Sequence, residues 1–443
     1  MKRIILLLFL INIINSATAA GKRKYSQFAG DINGDGFTDI AIASGSDFRN
    51  FFGMVKIYFG TAEGINSTAG WTYTCDITNF LESHYSVKII GDVNGDGTDE
   101  LCMLLTNLSN KKSGRSHQSL FIFYGKKEGF GNDPDILKIE DADMDKYSLR
   151  DYFAFDYTGD GYTDILAVSS KRNYKIVDAG WTDTEKKWLL YRGSDSGINN
   201  QYEIVKDIQE DILFKDAGDL NNDGINDMLT EEPDDKQLVL TQFLSTKNKP
   251  PDKKLFTSYK LLTAPTSDRI YNVTAGDFNA DTYDDYIIMH EDKSPLLSMK
   301  KPDSTTYTFE FYSGSADGLK TDIAYTWKTK TAPGVILNIT ACNDLNGDGY
   351  GDFILQKFTP NKKQQYNMEA FIVWGSKDGL QWDTSGNFNT FFHSLKYADF
   401  GITTVEALGD INNDGYADLL LSDVTIVYGC NDGKFKTTEL KFL

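Results

Sequence analysis

The stretch DINGDGFTDI, residues 31–40, sets side-chain oxygens at positions 1, 3, 5 and 9 of a nine-residue run (Asp31, Asn33, Asp35, Asp39) and then turns apolar. Three carboxylates in so short a turn repel one another unless a positive charge lies among them. The spelling returns six times: DVNGDGTDE from Asp92, DYTGDGYTD from Asp156, DLNNDGIND from Asp219, DFNADTYDD from Asp277, DLNGDGYGD from Asp344 and DINNDGYAD from Asp410. Successive starts are 61, 64, 63, 58, 67 and 66 residues apart. A near-constant period with variable filler marks a repeat architecture.

Each loop leads into a short apolar run, such as IAIAS, LCMLL, ILAVSS or FILQKF, of the length and composition of a buried strand. Further on comes an aromatic-rich strand closed by a glycine turn, as in VKIYFGTAEGI, LFIFYGKKEGF and AFIVWGSKDGL. Only the fourth repeat, LVLTQFLSTKNKPP, lacks that glycine pair. Each repeat therefore reads as strand A, acidic loop, strand B, variable loop, strand C, glycine turn, strand D. In the first repeat these strands fall near 25–30, 39–44, 54–59 and 70–76. Seven such units predict an all-β fold, a seven-bladed β-propeller with four antiparallel strands per blade and a calcium-binding loop between strands A and B. A linear solenoid would need atypical capping repeats, which this sequence does not show. The expected blades are roughly 24–83, 84–148, 149–209, 210–266, 267–332, 333–400 and 401–443, forming one domain over 21–443.

The Asp-x-Asn-x-Asp-Gly-x-x-Asp loop, the apolar strand and the aromatic-Gly turn together resemble the FG-GAP repeats of the integrin α-chain propeller. They are closer still to related repeats of secreted microbial proteins. The resemblance runs over almost the whole chain after the leader. It departs in lacking Gly-Ala-Pro after the loop, where ASG (43–45) and SSK (169–171) stand instead. No further modules follow the repeats, so a literal integrin receptor is not expected.

Oxygens at positions 1, 3 and 5 with glycine at 6 form the front half of an EF-hand site, a set suited to Ca²⁺. Position 12 of an EF-hand needs Glu, but here it is apolar, for example Ile42 and Ala167. The closing side chain is therefore position 9. The expected metal residues are Asp31, Asn33, Asp35 and Asp39; Asp92, Asn94, Asp96 and Glu100; Asp156, Thr158, Asp160 and Asp164; and Asp219, Asn221, Asp223 and Asp227. The last three loops add Asp277, Asn279, Asp281 and Asp285; Asp344, Asn346, Asp348 and Asp352; and Asp410, Asn412, Asp414 and Asp418. The resemblance implies that the position 7 carbonyl completes the shell. One copy is equally readable as an ordinary hairpin turn, but seven copies with acid at 1, 5 and 9 favour a cation. Up to seven structural Ca²⁺ ions are expected, and Mg²⁺ fits less well because it demands stricter octahedral geometry. The fifth site should be weakest, because Thr282 replaces the position 6 glycine where φ is expected to be positive.

Residues 1–20, MKRIILLLFLINIINSATAA, have the basic start, apolar run and Ala-Thr-Ala pattern of a secretory signal peptide. The expected location is secreted, extracellular or periplasmic, with no transmembrane anchor. Loss of Lys2 and Arg3 takes the net charge from −19 to −21. The loops alone supply 21 acids, and this balance excludes general nucleic-acid binding, which needs basic patches. Four cysteines do not make a disulfide scaffold; Cys102 and Cys342 read as buried free thiols.

In this arrangement the B–C and D–A loops share the end of the molecule opposite the acidic loops. Several B–C loops are basic: Lys111, Lys112 and Arg115; Lys171 and Arg172; Lys300 and Lys301; Lys362 and Lys363. They are candidate contacts for a ligand on that face, although lysine is also common in exposed loops. No nucleophile elbow, zinc motif or phosphate loop occurs. The expected function is a monomeric extracellular binding or adhesion module for a carbohydrate or protein. The alternative is a polysaccharide-active, lyase-like enzyme on a propeller scaffold.

Overall fold

The computed structural model describes residues 25–44, 52–76, 86–110, 115–127, 129–131, 135–138, 147–173, 182–208, 213–225, 227–234, 237–246, 249–260, 271–292, 304–360, 366–377, 405–421, 425–431 and 434–441. Among these residues the chain is all strand, turn and bend, with no helix. None, therefore, is long and apolar enough to cross a membrane. The expected leader at 1–20 lies outside the described residues.

The strands group into seven antiparallel sheets, each built from one continuous stretch of chain. The first holds β1 (Tyr25–Gly30), β2 (Asp39–Ser44), β3 (Phe52–Tyr58) and β4 (Trp71–Asp76). The second holds β5 (Ser86–Ile89), β6 (Leu101–Asn110), β7 (Arg115–Phe123) and β8 (Asp135–Lys138). The third holds β9 (Tyr147–Phe155), β10 (Asp164–Asn173), β11 (Thr182–Tyr191) and β12 (Tyr202–Ile208). In the fourth are β13 (Leu213–Gly218), β14 (Asp227–Asp234), β15 (Gln237–Thr246) and β16 (Lys249–Lys260). The fifth has β17 (Tyr271–Gly276), β18 (Asp285–Asp292), β19 (Thr305–Tyr312) and β20 (Tyr325–Thr331). The sixth shows β21 (Ile336–Asn343), β22 (Asp352–Pro360) and β23 (Tyr366–Val373); the fourth strand expected there would fall among residues 378–404, outside those described. The last has β24 (Val405–Gly409), β25 (Asp418–Leu421), β26 (Thr425–Tyr428) and β27 (Lys436–Glu439). In every sheet neighbours in sequence are neighbours in space, so each repeat is a simple meander. β9 opens at Tyr147, slightly ahead of the boundary expected at 149.

The strand after each loop is apolar on both faces because each face meets a different sheet. In β2, Ile40 and Ile42 point to the last sheet, packing with Leu420, Ile426 and Tyr428, whereas Ala41 points to the second, packing with Leu101 and Met103. Alternate residues of one strand thus feed two cores, which is why the sequence shows a run and not an alternation. The same division recurs in β6 and β22, with Cys102 and Ile354 facing one neighbour and Met103 and Leu355 the other. Cys102 and Cys342 are buried, unpaired thiols, as expected.

Seven apolar clusters link the sheets in order: first with second, second with third, and so on through sixth with seventh. The seventh cluster joins the last sheet back to the first. Hydrogen bonds reinforce that closure. The Tyr428 hydroxyl accepts the Ile65 N–H at 2.9 Å, the Tyr58 hydroxyl donates to the Lys441 carbonyl at 3.1 Å, and Lys441 N–H donates to the Ser67 carbonyl at 2.7 Å. The sheets therefore form a closed cycle.

Candidate functional site

Each acidic loop joins the first strand of its sheet to the second: Asp31 follows β1 directly and Asp39 opens β2. The turn is set by two left-handed residues. At position 6 these are Gly36 (φ 85°), Gly97 (85°), Gly161 (95°), Gly224 (87°), Thr282 (75°), Gly349 (89°) and Gly415 (89°). Position 4 is left-handed too, with Gly34 at 67° and the non-glycine residues Asn222, Ala280 and Asn413 at 54°, 57° and 56°. The positive φ expected at Thr282 is found, whereas position 4 was not foreseen because Asn and Ala occupy it in three loops.

Side chains of positions 1, 3 and 5 fold inward over this turn. In the first loop Asp31 accepts the N–H groups of Asp35 (3.1 Å) and Gly36 (2.8 Å), and Asn33 accepts the Asp35 N–H at 3.0 Å. Asp35 accepts the Phe37 N–H at 2.9 Å and the Asn33 amide at 3.0 Å. The pattern is repeated with small variations in the second, fourth, sixth and seventh loops. In the third loop Thr158 brings a hydroxyl in place of the amide. It is buried and makes no hydrogen bond of acceptable geometry among the described residues, although it stands close enough to Asp164 to favour that carboxylate's charged form.

Position 9 is the buried end of the site. Asp39, Glu100, Asp227, Asp285, Asp352 and Asp418 have no exposed surface, and Asp164 only 1%. One oxygen of Asp39 accepts the Ile32 N–H at 3.0 Å and the other the Gly60 N–H at 2.8 Å. The second donor is the glycine of the turn after the third strand. Gly125, Gly193, Gly314, Gly375 and Gly429 play the same part toward Glu100, Asp164, Asp285, Asp352 and Asp418. In these six sheets this brings the acidic loop and the glycine turn to one end, as the chain order implied. It also explains the glycine: a Cβ on Gly375 would run into the carbonyls of Gly351 and Phe278.

Burial raises these carboxylates despite their two N–H donors: Asp39, Asp285, Asp352 and Asp418 are pushed up to about 7, Glu100 to about 8 and Asp164 to about 6. The neighbouring position 1 and position 5 acids add to the rise in Asp285 and Asp418. A charged carboxylate is costly there without a counter-charge. In the second loop the longer Glu100 brings its oxygen within 4.8 Å of those of Asp92 and Asp96. The set is entirely oxygen, the donor type a hard divalent cation takes. The converging Asp92, Asp96 and Glu100, and the buried Thr158 hydroxyl beside Asp164, fit such an ion.

The candidate ligand-binding cations are placed differently from the sequence reading. Lys171 and Arg172 continue β10, opposite Glu185 and Asp183 of β11, and Arg115 opens β7 opposite Asn110. They belong to strand ladders and not to loops, because the central hairpins run past the end of their apolar cores. Lys111, Lys112, Lys300, Lys301, Lys362 and Lys363 lie outside the described residues.

Comparison with known proteins gives distant likenesses of fold. A mutant of AofleA from Arthrobotrys oligospora superposes with a TM-score of 0.40 at 8% identity, covering 82% of this chain and 88% of its own. A rhamnogalacturonan lyase of Bacillus licheniformis gives 0.34 at 11%, with coverages of 95% and 76%. The WD40 domain of SCAP from fission yeast gives 0.34 at 9%, with coverages of 92% and 94%. No curated protein sequence matches the chain. The family model described as FG-GAP repeat matches residues 28–58, which run from the second half of β1 through the first acidic loop and β2 to the end of β3. The chain thus carries an FG-GAP repeat at residues 28–58, around the acidic turn from Asp31 to Asp39.

Proposed function

We propose that the chain is a secreted, calcium-stabilised seven-bladed β-propeller that acts as an extracellular binding or adhesion module for a carbohydrate or protein ligand. The observation that carries this reading is the sevenfold acidic loop ending in a carboxylate buried beneath the turn. Positions 1, 3, 5 and 9 hold the ion in each loop, from Asp31, Asn33, Asp35 and Asp39 to Asp410, Asn412, Asp414 and Asp418. A bound divalent cation supplies the positive charge that lets the buried acids ionise. Binding only the folded state, it stabilises the fold by mass action. The cyclic order of the seven clusters supports the propeller, and residues 1–20 support export. The acids at position 9 are committed to backbone N–H groups, which suits a structural role better than proton transfer.

The test is a glycan array probed in calcium and again in chelator, with a melting curve in each buffer and an assay for eliminative cleavage of acidic polysaccharide. Calcium-dependent glycan binding without cleavage, and a melting temperature lowered by chelator, is the expected result. Cleavage would replace the binding-module reading with the lyase-like one. A melt indifferent to chelator would remove calcium from the account.

A further inference from the structure

Five of the joints between successive loops share one backbone hydrogen bond among the described residues. The N–H at position 8 of one loop donates to the position 1 carbonyl of the loop before it: Asp99 to Asp31 at 2.8 Å, Thr163 to Asp92 at 2.9 Å, Asp284 to Asp219 at 3.2 Å, Gly351 to Asp277 at 2.7 Å and Ala417 to Asp344 at 2.7 Å. At two joints the bond is returned. Asp31 N–H donates to the Asp99 carboxylate at 2.7 Å, and Asp219 N–H to that of Asp284 at 2.8 Å.

A second set of contacts runs from position 4. Tyr162 lies over Gly95 and Tyr416 over Gly347, leaving no room for a Cβ. Where position 4 is Asn, its side chain crosses the gap: Asn222 donates to Thr282 Oγ1 at 3.0 Å, and Asn413 donates to the Gly36 carbonyl. The last of these contacts joins the seventh loop to the first. Each of the five backbone joints ties a position 1 acid to the residue immediately before the next loop's position 9 acid.

We propose that the loops take up cations cooperatively, as a coupled ring, with the first–second and fourth–fifth joints the tightest. The proposal rests on the reading of the loops as cation sites. An ion that fixes Asp31 also fixes the partner of both the Asp99 N–H and the Asp99 carboxylate, and Asp99 is bonded to Glu100. Part of the ordering of the second loop is then complete before its own ion arrives, and that shared ordering is the coupling free energy.

The experiment is a calorimetric calcium titration of the ion-stripped full chain beside three variants, Asp99→Ala, Asp284→Ala and Asp99→Asn, each first shown to be folded by its melting curve. The native isotherm should be sigmoidal, with the later steps about five-fold or more tighter than the first, the lower end of the range for coupled sites. Asp99→Ala and Asp284→Ala should keep the number of ions bound but flatten the curve. Asp99→Asn retains an oxygen for the Asp31 N–H and should stay steep, which separates the hydrogen bond from the charge. If Asp99→Ala does not fold, Asp284→Ala and Asp99→Asn carry the comparison. An isotherm of independent sites in the native chain, or equal steepness in the alanine variants, overturns the coupling while leaving the loops as cation sites. No calcium bound at all removes both.

Discussion

Thr282 sits at φ 75°, a left-handed backbone that suits glycine or asparagine and strains a β-branched side chain. Its hydroxyl receives the Asn222 amide from the preceding loop. Thr282→Asn keeps a side-chain oxygen at that position and removes the branch, so a gain of about 0.5–1 kcal/mol is expected, part of the usual left-handed cost. A lower melting temperature in the variant would show that Thr282 is not strained. The reverse logic holds at Gly375. A methyl group there must displace two carbonyls, Gly351 of its own sheet and Phe278 of the sheet before, and Gly375→Ala should cost about 1–3 kcal/mol by overpacking. Chemical denaturation of the two variants beside the native chain measures both effects.

At the scale of the element, the loop and the glycine turn act together through the position 9 carboxylate. With no ion bound, Asp39, Asp285, Asp352 and Asp418 are raised to about 7 by burial, and Glu100 to about 8. Unfolded, such groups titrate near 4. Between these values the folded state holds more protons than the unfolded one, so stability is greatest below about pH 4 and is lost as pH rises through about 7. In chelator the melting temperature should fall between about pH 5 and about pH 8, and calcium should suppress that fall. A melting temperature that is level or rises over this range in chelator would contradict the assigned cost of burying the acids. The strands and the acidic positions were legible in the sequence because apolar runs and alternating oxygens are local patterns. The two N–H donors to Asp39 were not: Ile32 depends on how the loop folds back, and Gly60 follows the neighbouring strand, 21 residues on in the chain. Lys171 and Arg172 read as loop residues because polarity alone does not reveal a ladder that extends beyond its core.

For the whole molecule, the first and last sheets are each complete from their own stretch of chain: β1 to β4 and β24 to β27. Among the described residues no strand is shared across their junction, which is held by the apolar cluster of Ile40, Ile42, Leu420 and Ile426 and by contacts such as Tyr428 with Ile65. Tyr428→Phe strands the buried Ile65 N–H and should destabilise the fold by about 1–3 kcal/mol. A loss below about 0.5 kcal/mol in denaturant melts would mean that water or a shifted backbone takes the place of the hydroxyl. The periodicity of the sequence predicted repeated sheets. It did not predict the residues of this closure, which lie more than 350 positions apart.

Among the described residues the circle is closed by side chains and one isolated bridge. Tension between the two ends of the chain acts first across the junction of the outermost sheets, where side chains and a short parallel bridge between Thr68 and Lys441 bear the load in place of a full ladder. Under such a pull the circle would open there and unwind one sheet at a time, whereas force applied between two middle sheets would separate faces that the backbone still tethers, so that strands must unravel before the sheets part. As a surface tether, the protein would resist load according to the point from which it is held.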